Sequence, residues 1–193
     1  MSTALSQSSG DGQTRERLVA VAIDLFSRHS YAGTSLQMIA DEIGFTKGAI
    51  YHHFRTREEL LHAIVAPMLG ELKTIVDEAE QRRTPRTRAA HMLAGYAAHL
   101  ATNRRLAGVL ALDPGVLAVL RENPQWDNTI RRQIALLANV EPGPVGRAKA
   151  TFAMAGMAAA ADPRAVKLAD NALRELLVDV GRRALGLRSA RVA

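Results

Sequence analysis

An all-α fold is what this sequence predicts, and three features say so. Apolar residues recur at spacings of three and four along most of the 193 residues. No segment shows the strict alternation of a half-buried strand. Four of the seven prolines follow a side chain suited to helix capping, in Thr84-Pro85, Asp113-Pro114, Asn123-Pro124 and Asp162-Pro163. The cap oxygen accepts from an orphaned backbone N–H. Proline at the first helical position lacks the N–H that would otherwise go unpaired.

Taken in order, Met1 to Gln13 is rich in Ser, Gly and Gln and is expected to be a flexible arm (residues 1–13). It has neither the charged start nor the apolar centre of a secretory signal. Leu18, Ala22, Leu25 and Phe26 form the stripe of a first helix, 13–30. Leu36, Ile39, Ala40 and Ile43 form a second, 35–43, with Thr34 and Gln37 in capping-box spacing. Gly44 suits the left-handed turn that ends it. Thr46 caps a short third helix, 47–53, and Phe45 and Ile50 have staple spacing across its start. Thr56 with Glu59 opens a fourth, 57–82, in which Pro67 predicts a kink. The remaining helices are expected at 85–102, 104–112, 114–121, 124–139, 144–160 and 163–186. The longest apolar run, Phe152 to Ala161, falls short of the roughly 18–20 residues that span a bilayer, so no membrane partner is expected.

Composition narrows the function. Hydrophobic residues at 48% and charged residues at 23% exclude a largely disordered chain. The absence of cysteine excludes disulfides, thiolate metal sites and a thiol nucleophile, and it fits a reducing cytoplasm. The net charge of +6 and pI near 10.3 invite a nucleic-acid partner. Yet residues 1–65 hold six basic and seven acidic side chains, so the excess lies in the rest of the chain.

Residues 34–61 read TSLQMIADEIGFTKGAIYHHFRTREELL. Helix, glycine turn and second helix make a helix-turn-helix. The segment resembles the TetR family of bacterial transcriptional regulators. The residues that carry the likeness are Thr34, Ile39, Ala40, Gly44, Thr46, Gly48, Ile50, Tyr51, His53, Phe54, Arg57, Glu58, Leu60 and Leu61, with Ala22, Leu25, Phe26 and Tyr31 upstream. Ser30 departs from the pattern, which usually has glycine there, and bears on the end of the first helix. The likeness implies a three-helix DNA-binding domain over 14–62 and a helical effector-binding and dimerisation domain over 63–193. It also implies a homodimeric repressor that binds a palindromic operator in double-stranded DNA in the bacterial cytoplasm and is released by a small-molecule effector. No cofactor is implied.

The second helix of a helix-turn-helix presents its first residues to base edges in the major groove. Lys47 has the donor for guanine or for a phosphate. Gly48 and Ala49 are small enough for close backbone approach, and Ala49 suits a thymine methyl. Thr46 and His52 belong to the same helix. Resemblance makes Tyr51 and His53 groove or phosphate contacts and Arg57 a phosphate contact. Thr34 and Ser35 open the preceding helix, where free N–H groups suit a phosphate. The plain alternatives are solvated charges at Lys47 and Arg57 and simple packing at Tyr51. His52 and His53 point about 100° apart on a helix and do not suit one metal ion.

In the C-terminal part, Val166, Leu173, Val180 and Leu187 recur every seven, with Ala169, Leu176 and Ala184 near the intermediate seam. With the small-residue segment holding Met154 and Met157, this stripe is expected to pair two subunits across a twofold axis. The alternative is a pair of internal core helices. Met92, Tyr96, His99 and Leu100, with Trp126, Met154 and Met157, are the candidate pocket lining; the alternative for each is plain core. Arg82, Arg83, Arg86, Arg88, Arg104 and Arg105 read as a solvated surface, or else as a site for an anionic effector. An enzyme is not expected: HExxH, GxSxG and CxxC are absent, and GPVGRAK at 143–149 lacks phosphate-loop spacing. A helical ligand-binding or interaction protein that keeps this fold without operator binding is the remaining rival.

Overall fold

The computed structural model describes the backbone of residues 3–187 and the side chains of 12–110 and 113–187. Ten helices and no strand occur among the described residues. They are α1 (Thr3–His29), α2 (Leu36–Ile43), α3 (Lys47–His53), α4 (Arg57–Glu80), α5 (Pro85–Thr102), α6 (Arg104–Leu112), α7 (Pro114–Arg121), α8 (Pro124–Ala138), α9 (Pro144–Ala161) and α10 (Asp170–Ala184). No helix is long and apolar enough to cross a membrane among these residues.

Three local expectations change. Helix α1 starts at Thr3, so most of the expected arm is helical. Adding turns to an existing helix costs far less than nucleating one, even through Ser and Gly. Ser35, not Thr34, caps α2 by accepting from the Met38 amide at 3.1 Å. Thr34 is buried and donates to the Ser30 carbonyl at 2.8 Å. Asp162 does not open a helix at Pro163. Its carboxylate accepts from the Arg164 amide at 2.8 Å and pairs with the Arg164 guanidinium at 2.7 Å. That pairing holds Asp162 below the usual carboxylate range, and the chain stays non-helical until Asp170.

Ser30 takes the left-handed conformation, φ 65°, that glycine adopts freely. Its hydroxyl compensates by accepting from the Gly33 amide at 3.2 Å. Gly44, φ 78°, ends α2 as its position predicts. Helix α4 runs as one element through Pro67.

Two cores organise the chain, and α4 spans both. The first gathers Leu18, Phe26, Ile39, Ile50 and Phe54 with Leu60 to Leu69 of α4, and also takes Leu106, Val109, Leu110, Val116 and Leu120 from α6 and α7. The second gathers the far half of α4, from Leu72 to Ala79, with α5, α8, α9 and α10. Helices α6 and α7 therefore lie in sequence beyond residue 62 but pack with the N-terminal helices.

His99 lies in the second core with its side chain 1% exposed. Its Nδ1 meets Glu71 Oε2 at 2.9 Å, and its Nε2 is buried without a partner. Burial lowers its pKa, outweighing Glu71, which acts the other way. The unfolded chain thus takes up this proton first. Stability from this residue is complete above the ordinary histidine value near 6.5 and declines as pH falls through it toward the lower folded value. Thermal denaturation should show the melting temperature dropping between pH 7.5 and 5.5, and His99→Gln should flatten that drop.

Candidate nucleic-acid interface

Helix α3 is short and held from one side only. Ile50 is fully buried, and Phe54 ends the helix inside the same core. The guanidinium of Arg15 on α1 lies 5.1 Å from the Phe54 ring centre, a cation–π contact that seats α1 on the end of α3. Thr46 caps the start by accepting from the Ala49 amide at 3.3 Å.

The opposite face is open. Thr46, Lys47, Gly48, Tyr51 and His52 are exposed, and Ala49 and His53 are half-buried. Tyr51 keeps 44% of its surface in water. The Lys47 ammonium lies 5.8 Å from its ring centre. A Cβ at Gly48 would meet only the Thr46 hydroxyl, at 4.0 Å. No neighbouring atom in the fold requires glycine at this position.

Three of the acids in this region have partners within the fold. Asp24 pairs with Arg28 at 2.6 Å and with Arg105 at 2.7 Å, and Glu42 with Arg28 at 3.1 Å. Glu58 accepts from the Tyr31 hydroxyl at 3.0 Å. Its own backbone N–H first, and that hydroxyl second, hold Glu58 below its ordinary value. Burial, then Glu58, pushes the Tyr31 phenol up to about 12, so it stays the donor. These three acids thus have partners within the fold, while Lys47 and Arg55 are exposed cations outside the ion pairs of the described residues.

Two expected contacts turn inward. Thr34 is buried, leaving exposed Ser35 as the polar side chain at the start of α2. Arg57 Nη1 donates to the carbonyls of Tyr31 at 3.1 Å, Ala32 at 3.2 Å and Thr34 at 3.0 Å. The same guanidinium stands 5.0 Å from the Tyr31 ring centre. A turn with three convergent carbonyls is a better partner for this cation than bulk water. Arg57 therefore fixes the α1–α2 turn.

Behind this unit, between α4, α5, α6, α7, α8 and α9, lies a cavity of about 320 Å³. Tyr96, Leu100, Trp126 and Met154 line it, together with Ile130, Ile134, Leu110 and Leu117, which the sequence did not single out. Arg121 stands at its edge. Three expected lining residues lie elsewhere. Met92 and His99 face the α4–α5 core, where His99 is fixed by Glu71. Met157 packs beside Gly181, where an added Cβ would come 3.1 Å from its sulfur. Among the arginines read as solvated, Arg104 is mostly buried and donates to the carbonyls of Ala161, Val166 and Leu168, closing the α9–α10 connection. Among the described residues no three or more metal-ligating side chains converge.

The expected heptad seam does not exist as one stripe. Val166 and Ala169 precede α10, and Leu173 is fully buried in the chain's own core, as is most of Met154 and Met157. What remains outside is Leu176 at 39% and Val180 at 50% exposed, four apart on α10, with Phe152 at 76% on α9. Gly156, four residues after Phe152, faces open space. Phe152 was missed because it stands alone in a small-residue run, where sequence spacing does not tell which side it takes.

Residues 18–64 match the family described as bacterial regulatory proteins, tetR family. The chain is 43% identical over 49 residues to the uncharacterized HTH-type transcriptional regulator YerO of Bacillus subtilis, 25% of this chain and 17% of that one. It is 39% identical over 62 residues to the probable acrEF/envCD operon repressor of Escherichia coli, 31% of this chain and 28% of that one. The chain thus aligns with less than a third of the length of each of these two relatives. Over 90% of its length it shares the fold of SCO3833, a TetR-family transcriptional regulator of Streptomyces coelicolor, at TM-score 0.69, 22% identity and 91% coverage of that structure.

Proposed function

We propose, from the premise that residues 18–64 are the DNA-binding domain of the TetR family of regulators, that this protein is a homodimeric, ligand-released transcriptional repressor. The observation that carries it is the face of α3. Lys47, Gly48, Tyr51 and His52 are exposed on a helix anchored by Ile50 and Phe54, and none of the four belongs to the buried core. Lys47 donates to a guanine edge or phosphate, Ala49 meets a base methyl, and Tyr51 and His53 flank the groove. Ser35 and the first amides of α2 take a phosphate.

A palindromic operator needs two such helices on a twofold axis, about one helical turn of DNA apart. Phe152, Leu176 and Val180 supply the self-complementary apolar surface for that pairing. The cavity takes a mostly apolar effector, set between Tyr96, Leu100, Trp126 and Met154. Such a ligand releases DNA only by binding one arrangement of the dimer better than the other. The place of action is the bacterial cytoplasm.

Gly48→Gln tests this reading. Glutamine fits the fold and favours the helix by up to about 1 kcal/mol over glycine, so the melting temperature should hold or rise. Its side chain holds α3 off the groove, so affinity for DNA from upstream of its own gene should fall more than about tenfold in a gel shift, the scale of one lost good base contact. Unchanged binding would refute the assignment of α3. No binding by the native protein at low salt would leave the non-binding rival standing.

A further inference from the structure

One carboxylate holds the seam between the cavity wall and the DNA-reading helices. Asp113 joins α6 to α7, and its Oδ1 caps α7 by accepting from Gly115 at 2.8 Å and Val116 at 3.3 Å. Its Oδ2 accepts from the backbone amide of Tyr31 at 2.6 Å, across 82 residues of sequence. The carbonyl of the same Tyr31 is one of the three that Arg57 gathers, and the last of those, Thr34, precedes the Ser35 cap of α2. Gly115 seats α7 directly on this corner, since a Cβ there would come 3.2 Å from both Asp113 Oδ1 and the Tyr31 ring.

On the other side of Asp113 lies the cavity. Ala107 and Leu110 precede it on α6, Leu117 and Arg121 follow it on α7, and all four line the wall. A shift of that wall moves the carboxylate that holds Tyr31. Hydrogen bonds weaken steeply once stretched past about 3.2–3.5 Å. A displacement of about 1 Å therefore forces Asp113 to give up either the α7 cap or the Tyr31 amide. Helix α4 and the apolar core shared with α6 and α7 also cross this boundary, but among the described residues the other side-chain hydrogen bonds and ion pairs across it are Arg105 to Asp24, an exposed pair, and Arg164 to the Ser27 carbonyl. Neither reaches the turn that Arg57 clamps.

We propose that Asp113 is the positioning residue that couples the cavity to the DNA-reading helices, acting through Tyr31 and the Arg57 clamp on the entry to α2. The proposal rests on the regulator reading above. Coupling between two binding sites is reciprocal, so operator binding must also reach the cavity. Trp126, the only tryptophan, lines that cavity and reports on it.

The test uses the full-length protein and a labelled duplex from upstream of its own gene. Anisotropy follows binding, and Trp126 emission follows the cavity. In the native protein, saturating duplex should shift the emission. Asp113→Asn and Asp113→Ser both keep a good helix cap. The asparagine amide serves only one of the two acceptor roles, and serine is too short to reach Tyr31. Both variants should bind the duplex within about tenfold of the native protein, the scale of one hydrogen bond, and lose the Trp126 response. If Asp113→Asn fails to fold, Asp113→Ser carries the test. An undiminished Trp126 response in the folded variants overturns the proposal, as does a native protein that binds with no response. A native protein that does not bind fails the regulator reading itself, and the coupling with it.

Discussion

The pair Phe152→Glu and Val180→Glu is expected to give a folded monomer whose operator affinity falls about 10²–10⁴-fold, the advantage a second linked half-site confers. Phe152 is 76% and Val180 50% exposed in the single chain, so neither change opens the core. Twofold symmetry then gathers four carboxylates in one apolar contact, and like charges buried together there are costly. Leu173, on the same helix, is fully buried within its own chain. Leu173→Glu would therefore unfold the protein rather than separate subunits. Sedimentation velocity distinguishes these outcomes, with circular dichroism confirming helix content. A dimer that persists in the double variant would place the interface elsewhere.

Arg57→Ala should be the most damaging single change to the helix-turn-helix unit outside its core. It removes a cation that serves three carbonyls and stacks on Tyr31. Hydrogen bonds to a charged donor contribute about 1.5–3 kcal/mol. In a chain of this size that is roughly 3–12 °C of melting temperature. Operator binding should fall with it, because the turn that delivers α2 loosens. Arg57→Lys should restore part of both, since an ammonium offers three donors to one point. A phosphate contact would behave differently. Its loss would leave the melting temperature alone and reduce the salt slope of binding by about 1.

These contrasts show what the sequence carries. Helix boundaries between 36 and 161 were legible almost to the residue, because capping side chains, prolines and Gly44 act locally. The start of α10 was not legible. Asp162-Pro163 has the form of a cap, but the Arg164 side chain outcompetes the helix for that carboxylate. Partnering across long sequence distance was also hidden. Nothing near Arg57 reveals that it faces carbonyls 23 to 26 residues away. The spacing of Val166, Leu173 and Val180 does not tell an outer seam from an inner one. The family likeness singled out the residues of α3 as candidates, while the cavity needed α6 to be seen packed on α9 and α7 on α8.

Charge followed the same rule. The bulk excess of +6 invites a nucleic-acid partner, yet the helix-turn-helix segment is slightly acidic. Ion pairs within the fold occupy Asp24 and Glu42, while Lys47 and Arg55 are exposed at the surface. A hydroxyl-radical footprint of the full-length protein on its own upstream DNA is the most direct measurement of that arrangement. Two protected half-sites, related by a palindrome and centred about one helical turn apart, are the predicted result. Both should vanish together in Phe152→Glu, Val180→Glu. Uniform weak protection without half-sites, or none at low salt, would contradict the assignment of α3 as a sequence-reading helix.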